Sequence, residues 1–119
     1  MITENILAVV ADAFGTTPEL ILSRSRKRPN PDARKAATAL MMEHPRLRYT
    51  QQKMGEVLGG KDHSTIAHNK RQHDNLMETD KRYRDTFLSI NTDFINKEVV
   101  QKEIDRLEAR IAELKKMLL

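Results

Sequence analysis

The chain has 119 residues, 32% of them charged, no cysteine and a formal net charge of +4 at pH 7, which suits one small domain with an appendage. The absence of cysteine excludes disulfides and thiolate metal sites, and no apolar run is long enough to cross a bilayer. The N-terminus also lacks the basic segment of a signal peptide, so we expect a cytoplasmic protein.

The first two predicted elements are helices that begin and end at clear local signals. Apolar residues recur at helical spacing from Thr3 to Phe14, and Gly15 is expected to end this core helix. A second, short helix begins at Pro18, where the hydroxyl of Thr17 can cap it. Since aromatic residues make up only 4% of the chain and no strand-like alternation occurs, we predict an all-α fold.

A basic segment then leads into an alanine-rich helix. Residues 23–48 contain eight basic and two acidic residues, and such a surface attracts the phosphate backbone of nucleic acids. We expect Ser23–Asn30 to be an exposed arm that can enter a narrow minor groove, where arginine is favoured; a solvated linker is the alternative. The run Pro29-Asn30-Pro31 predicts an extended connection, after which Asp32 is expected to cap a helix that runs to about His44.

The next two helices form a predicted helix-turn-helix. The first, roughly Thr50 to Leu58, has one apolar face and stops at Gly59-Gly60, since glycine can adopt the left-handed conformation. The second starts at a cap provided by Asp62 or Ser64 and extends to about Met77. In this motif the polar residues that open the second helix reach base edges in the major groove of DNA, because they carry hydrogen-bond donors and acceptors.

The remainder divides into a last packing helix, Lys81 to Ile90, and a C-terminal segment with a heptad pattern. The core residues expected in the packing helix are Tyr83, Phe87, Leu88 and Ile90. We therefore place a compact helical domain at residues 1–91 and a coiled-coil-like helix at residues 92–119. The heptad core positions are Val100, Ile104, Leu107, Ile111, Leu114 and Leu118. They predict a homodimer or a pairing with a partner helix.

The direction of this pairing is left open by the sequence. β-branched residues at one core position and leucine at the other favour a parallel dimer. The flanking charges disagree, because a parallel dimer would place Glu103 opposite Glu108 and Arg110 opposite Lys115. An antiparallel pair, packing against the globular domain and a different partner helix are the alternatives.

The run Gly59-Gly60-Lys61-Asp62-His63-Ser64-Thr65-Ile66-Ala67-His68 closely resembles the signature of the C-terminal DNA-binding domain of the bacterial replication initiator DnaA. In that family a Gly-Gly-basic-Asp-His-Ser/Thr-Thr-Val/Ile-x-His sequence opens the recognition helix. The likeness extends over roughly Ile6 to Ile90, since the basic arm and the alanine-rich helix occur in the same order. It implies a Trp-repressor-like helix-turn-helix that binds a short duplex site of the DnaA-box type and serves replication initiation or its regulation.

The resemblance also implies which residues contact DNA. Residues at the start of the recognition helix would contact the major groove and the phosphates. Arg26 corresponds to the arginine of the arm that enters the minor groove. Arg34 corresponds to a DNA-contacting arginine at the start of the alanine-rich helix. With Arg24, Arg28 and Lys35, which are included as cations of the basic segment, the full expected set is Arg24, Arg26, Arg28, Arg34, Lys35, Lys61, Asp62, His63, Ser64, Thr65 and His68. The chain departs from the family at Lys35, where glutamine is usual, and at Met42, where a lysine that contacts the DNA backbone is common. A loop from His44 to Tyr49 is also about two residues longer.

The sequence contains neither the ATPase module nor the N-terminal interaction domain of the DnaA family, so we expect that this chain does not switch with ATP. A phage or mobile-element initiator or regulator, a competitor for initiator sites and an excised domain all fit this organisation. The alternative function is a coiled-coil adaptor or regulator that binds replication proteins, with DNA binding weak or secondary.

Three apparent signals of catalysis or metal binding fail on stereochemical grounds. Residues Gly55–Lys61 match the first seven positions of a phosphate-binding loop, but Asp62 replaces the hydroxyl residue that would ligate magnesium. His63, His68 and His73 are five residues apart and so point in different directions around a helix. The consecutive Asp, His and Ser of this run are too close in sequence to form a hydrolytic relay. We therefore expect no enzyme activity, no cofactor and no metal site.

Overall fold

The computed structural model describes residues 2–44, 47–90 and 93–119, and within these residues it contains helices and no strand. This confirms the expected all-α fold. The helices are α1 (Ile2–Phe14), α2 (Pro18–Leu22), α3 (Asn30–Glu43), α4 (Gln51–Val57), α5 (His63–Thr79), α6 (Lys81–Leu88) and α7 (Asp93–Met117). The predicted domain boundary at residues 91–92 falls outside the described residues, as do Pro45 and Arg46 of the predicted longer loop from His44 to Tyr49.

Helix α3 lies at the centre of the core. It packs against α1, α2 and α5, and its residues Ala33, Ala36 and Ala37 are fully buried. Small side chains allow neighbouring helices to approach closely, so large buried residues such as Ile6 in α1 and Ile66 in α5 can pack around α3. Each large aliphatic side chain buried in this way contributes about 1.5–3 kcal/mol. The position of α5 is therefore set by its packing on α3.

Side-chain caps fix where four of the helices begin. Thr17, Thr50, Asp62 and Asp80 each accept a hydrogen bond from the backbone N–H three residues later, at 2.8–3.2 Å. The caps at Thr17 and Asp62 are the ones that the sequence predicted. Asp80 both ends α5 and caps α6, so α5 continues to Thr79, beyond its predicted end. Each cap of this kind contributes about 1 kcal/mol.

The beginning of α3 differs from the prediction. This helix starts at Asn30, which is only 4% exposed, so the extended connection and the expected cap at Asp32 are both wrong. The reason is that the Asn30 amide is hydrogen-bonded inside the protein: its Oδ1 accepts from Thr16 Oγ1, and its Nδ2 donates to Ser25 Oγ at 3.0 Å. Asp32 lies in the first turn of α3 instead, 3.6 Å from the ammonium group of Lys35.

Two glycines allow backbone segments to touch at the turn between α4 and α5. A Cβ atom on Gly55 would lie 1.9 Å from the carbonyl oxygen of Lys61, and one on Gly59 would lie 2.1 Å from the carbonyl oxygen of Leu22. Both distances are far inside van der Waals contact. Gly59 also has a φ of +91°, in the left-handed region that the sequence predicted. The turn therefore packs directly against the last residue of α2.

Helices α5 and α6 share a buried polar pair. His73 Nδ1 and the hydroxyl of Tyr83 lie 2.6 Å apart and share a hydrogen bond, and both residues are 3% exposed. Burial lowers the pKa of His73, and the nearby positive charge of Lys70 lowers it further. The ring of Phe87 packs on the imidazole at a centroid distance of 4.5 Å. The imidazole is therefore a neutral core group at pH 7.

The last turn of α6 is oriented differently from the prediction. Tyr83 and Ile90 are buried as expected, whereas Leu88 is 67% exposed. Leu88 follows Tyr83 by five residues, and this spacing turns the two side chains to different faces of a helix. The prediction that Leu88 packs in the core is therefore wrong.

Helix α7 presents its side chains to solvent. It begins at Asp93, and the side chains of residues 101–119 are all exposed. The large apolar residues at the heptad positions between Ile104 and Leu114 are 41–51% exposed. Packing of this segment against the globular domain, one of the alternatives from the sequence, is therefore not observed for residues 101–119. The side chain of Val100 lies outside the described part of the chain.

The substitution Gly55→Ala should destabilise the domain by about 1–3 kcal/mol, the usual cost of overpacking, because the new methyl group would collide with the Lys61 carbonyl. In an unhindered helix the same change would stabilise by about 0.5–1 kcal/mol. Urea denaturation followed by helical circular dichroism measures the difference. Gly60→Ala is the control for backbone strain alone, since Gly60 has a φ of +76° but no atom within 4 Å of an added Cβ. A neutral or stabilising effect of Gly55→Ala would contradict the tight turn.

The free energy of unfolding should fall as the pH decreases from 7 to 5. The pKa of His73 is lower in the folded protein than its ordinary value of 6.5, so on acidification the unfolded chain binds a proton first. Stability is therefore lost as the pH drops below about 6.5. We expect His73→Gln to flatten this dependence and His68→Gln, at an exposed position, to leave it unchanged. Urea titrations at several pH values measure the free energy of unfolding of each protein. If this free energy changed with pH to the same extent in all three proteins, the prediction would be refuted.

Candidate nucleic-acid interface

Side chains from the arm, from the start of α3 and from the start of α5 line one surface cleft of about 490 Å³. We call it the basic cleft. Its lining residues are Arg24, Arg26, Pro31, Arg34, Lys35, Gly60, Lys61, Asp62, Thr65, His68 and Asn69. Five of them are cationic and one is anionic. The fold thus brings together basic residues that are far apart in the sequence, and the cleft has the charge that attracts a polyanion.

The arm is held by hydrogen bonds and is not a loose linker. Ser23 Oγ accepts a hydrogen bond from Ser25 N at 3.1 Å, and Ser25 Oγ accepts one from Lys27 N at 3.2 Å. The arm ends at the buried Asn30, and Ser23, Ser25 and Pro29 are half-buried, so the expectation of exposure holds only for its basic residues. The side chains of Arg24, Arg26, Lys27 and Arg28 are exposed. The backbone of the arm is therefore fixed while its cations face solvent.

Arg34 connects α3 to the carboxyl end of α2. Its Nε donates to the carbonyl of Ile21 at 2.7 Å, and its Nη2 donates to the carbonyl of Leu20 at 3.1 Å. These carbonyls belong to the last turn of α2, where a cation is favourable because backbone acceptors lack helical partners. Partial burial lowers the pKa of Arg34. Arg34 therefore has a structural role in addition to lining the basic cleft. This role could not be predicted from the sequence.

Lys61 lies where several positive charges converge. Its Nζ donates to the carbonyl of Ser23 at 3.4 Å, which ties the turn before α5 to the start of the arm. Burial lowers the pKa of Lys61, and the positive charges of Arg34 and Arg24 lower it further. The free protein therefore contains a repulsion among cations that a bound anion would relieve.

The start of α5 carries polar side chains around a capping carboxylate. Asp62 Oδ1 accepts a hydrogen bond from Thr65 N at 2.8 Å, and this bond is the main reason that the pKa of Asp62 is lowered. His63 and Ser64 are exposed but do not line the basic cleft, whereas Thr65 does. Asp62 is therefore the N-terminal cap of α5.

Two differences from the expected site concern Arg28 and Asn69. Arg28 lines a separate cavity of about 320 Å³ with Asp32, Asp80 and Tyr83, and so lies apart from the basic cleft. Asn69 lines the cleft but was not among the expected residues. Helical spacing was the available signal, since Asn69 follows Thr65 by four residues and shares its face of the helix.

Two further properties concern the described residues as a whole. They contain no group of three or more histidine, aspartate or glutamate side chains arranged to hold a metal ion. None of the helices in this part of the chain is both long and apolar enough to cross a membrane.

Comparison with known proteins gives a consistent match. A family model described as the bacterial DnaA protein helix-turn-helix matches residues 3–72. Curated relatives named chromosomal replication initiator protein DnaA come from Trichormus variabilis and Nostoc sp., each 34% identical over 88 residues, and from Synechocystis sp., 32% identical over 88 residues. Each alignment covers 74% of this chain and 19% of the relative, so the chain spans about a fifth of their length.

Removal of the Lys61 charge should stabilise the free protein at low salt. The lowered pKa means that the charged form is less favourable in the folded state than in the unfolded state. Lys61→Met keeps the apolar stem and removes the charge, so we expect a higher midpoint of thermal unfolding at pH 7, with the difference shrinking as salt screens the cations. Lys53→Met is the matched control, since Lys53 lies 3.7 Å from the carboxylate of Glu56 on the exposed face of α4. Because Lys61→Met also loses the hydrogen bond to the Ser23 carbonyl, the salt dependence is the decisive measurement. A midpoint of Lys61→Met that does not fall, relative to the unchanged protein, as salt is added would contradict the repulsion.

Proposed function

This chain belongs to the family of bacterial DnaA helix-turn-helix domains, and we propose that it binds double-stranded DNA sequence-specifically at a DnaA-box-like site. The observation that carries the proposal is the basic cleft, because it joins the start of α5 to the arm in one continuous cationic surface. The phosphate backbone supplies the complementary charge, so affinity is expected to fall steeply with salt.

In the proposed complex, the start of α5 enters the major groove. His63 and Ser64 are exposed there and Thr65 borders the cleft; all three offer donors and acceptors to base edges. Arg26 is exposed on the arm, where a guanidinium can enter the adjacent minor groove. The two grooves are thus contacted from the two sides of the basic cleft.

We assign phosphate contacts to the cations that lie between these two elements. Arg24, Lys35 and Lys61 line the cleft, and such contacts position a protein on the duplex without reading sequence. Arg34 and Asp62 keep their structural hydrogen bonds to α2 and α5 in this proposal. Arg28 lies apart from the cleft and is expected to contribute little.

The biological role that we propose is in replication initiation or its regulation. The relatives carry the name of replication initiators, and this chain corresponds to a fifth of their length. In replication initiation or its regulation, this chain would bind a site on DNA. A second candidate is an adaptor that binds replication proteins, favoured by the exposed apolar side chains of α7.

An electrophoretic mobility shift titration with DnaA-box and scrambled duplexes at two salt concentrations tests the proposal. We expect tighter binding to the DnaA-box duplex. Arg24→Ala should weaken binding to both duplexes alike and reduce the salt slope by about 1. His63→Ala or Thr65→Ala should remove about 1–3 kcal/mol of preference for the DnaA-box sequence, the value of a good base contact.

The matched control is Arg82→Ala, since Arg82 is an exposed arginine that lines the separate cavity with Arg28. It should bind both duplexes as the unchanged protein does. Equal affinity for the two duplexes, or affinity that does not depend on salt, would contradict the proposal and favour the adaptor.

A further inference from the structure

Helix α7 carries an apolar stripe that the proposed DNA binding does not use. Between residue 101 and its end at Met117 it contains Ile104, Leu107, Ile111 and Leu114 at heptad core positions, and Leu118 follows directly after the helix; their exposed fractions are 41–87%. Val100 continues the pattern in the sequence. We call these six residues the α7 stripe. Contiguous exposed apolar residues of this size mark a surface that is covered by a partner.

We propose that the partner is a second copy of this chain, bound antiparallel along the α7 stripe. With the two helices centred on Ala109, Ile104 of each copy faces Leu114 of the other, and Leu107 faces Ile111. Leu118 falls opposite position 100 at each end, where the sequence has a valine. Every core layer of this alignment is therefore apolar on both sides, which coiled-coil packing requires.

The charges beside the α7 stripe determine the direction. One edge of the helix carries Glu103 and Arg110, and the other carries Glu108 and Lys115. A parallel pair would place Glu103 against Glu108 and Arg110 against Lys115, which gives four like-charge contacts in the dimer. Such contacts are destabilising and discriminate against that arrangement.

In the antiparallel pair, the acidic residue on each edge of one helix lies beside the basic residue on the same edge of the other helix. Glu103 then lies near Arg110 and Glu108 near Lys115, which gives four opposite-charge contacts. Two like contacts remain at the symmetry axis, where Arg110 and Glu108 each meet their own copy. The charge of Arg110 is offset within its own helix by Glu113, 3.3 Å away. The balance of charges therefore favours the antiparallel dimer.

Two wider electrostatic effects act in the same direction. Antiparallel neighbours place the positive end of one helix dipole beside the negative end of the other. In addition, each chain carries a net charge of +4, and the basic cleft precedes α7 in the sequence. Antiparallel pairing separates the two starts of α7 by about 50 Å at 1.5 Å per residue, whereas parallel pairing would bring them side by side. Repulsion between the two globular domains is thus smallest in the antiparallel form.

Introduced cysteines distinguish the two directions, because the chain has none of its own. We would mix full-length Ile104→Cys and Leu114→Cys proteins in a glutathione redox buffer and identify the disulfide-linked species by mass. In the antiparallel dimer position 104 of one copy comes within disulfide reach only of position 114 of the other. The disulfide-linked pair of one Ile104→Cys chain and one Leu114→Cys chain should therefore dominate. In a parallel dimer each position faces its own copy. Predominance of the 104–104 and 114–114 species, or absence of specific cross-linking, would overturn the proposal.

A charge reversal gives an independent test with opposite signs for the two directions. Glu108→Lys converts the contact with Lys115 from attraction to repulsion in the antiparallel dimer, so sedimentation equilibrium should show association about fivefold weaker. In a parallel dimer the same change would create an attraction to Glu103 and strengthen association. Asp105→Lys makes the same charge change on the outer face of α7 and should have little effect. Tighter association of Glu108→Lys, or a chain that stays monomeric up to millimolar concentration, would refute the antiparallel pair.

Discussion

The helix-turn-helix depends on two contacts between backbone segments that leave no space for a side chain. Gly55 lies against the carbonyl of Lys61, and Gly59 lies against the carbonyl of Leu22. Because Leu22 is the last residue of α2 and the arm follows it, these contacts position α5 relative to the arm. Arg34 adds hydrogen bonds to the carbonyls of the same helix end. The arm and the start of α5, which both line the basic cleft, are therefore held in place relative to each other by these main-chain contacts.

The features that could be predicted from the sequence are those determined by neighbouring residues. The caps at Thr17 and Asp62 and the left-handed Gly59 depend on residues three or four positions away, so local chemistry is sufficient to identify them. The family resemblance and the basic segment together identified eight of the eleven residues that line the basic cleft. Asn69 was missed, although its helical spacing from Thr65 was visible in the sequence.

The features that could not be predicted depend on contacts between distant segments. Asn30 begins α3 because its amide is bonded to Thr16, fourteen residues earlier, and Arg34 reaches Ile21, thirteen residues earlier. Nothing in the composition of the arm identifies these partners. Arg28 illustrates the same limit, since a basic residue in a basic segment lies at a different cavity once the chain turns into α3.

The cap on α5 has a consequence for how a polyanion can approach. An uncapped helix start is a favourable place for phosphate, because free backbone N–H groups and the helix dipole both attract anions. In α5 the carboxylate of Asp62 already accepts one of these N–H groups and adds its own negative charge. In the proposed complex a phosphate would therefore approach on the neighbouring side, where Lys61 and Arg24 line the basic cleft. The amino end of α5 would then be left for uncharged base edges, so the residue that caps the helix would also separate phosphate contacts from base contacts.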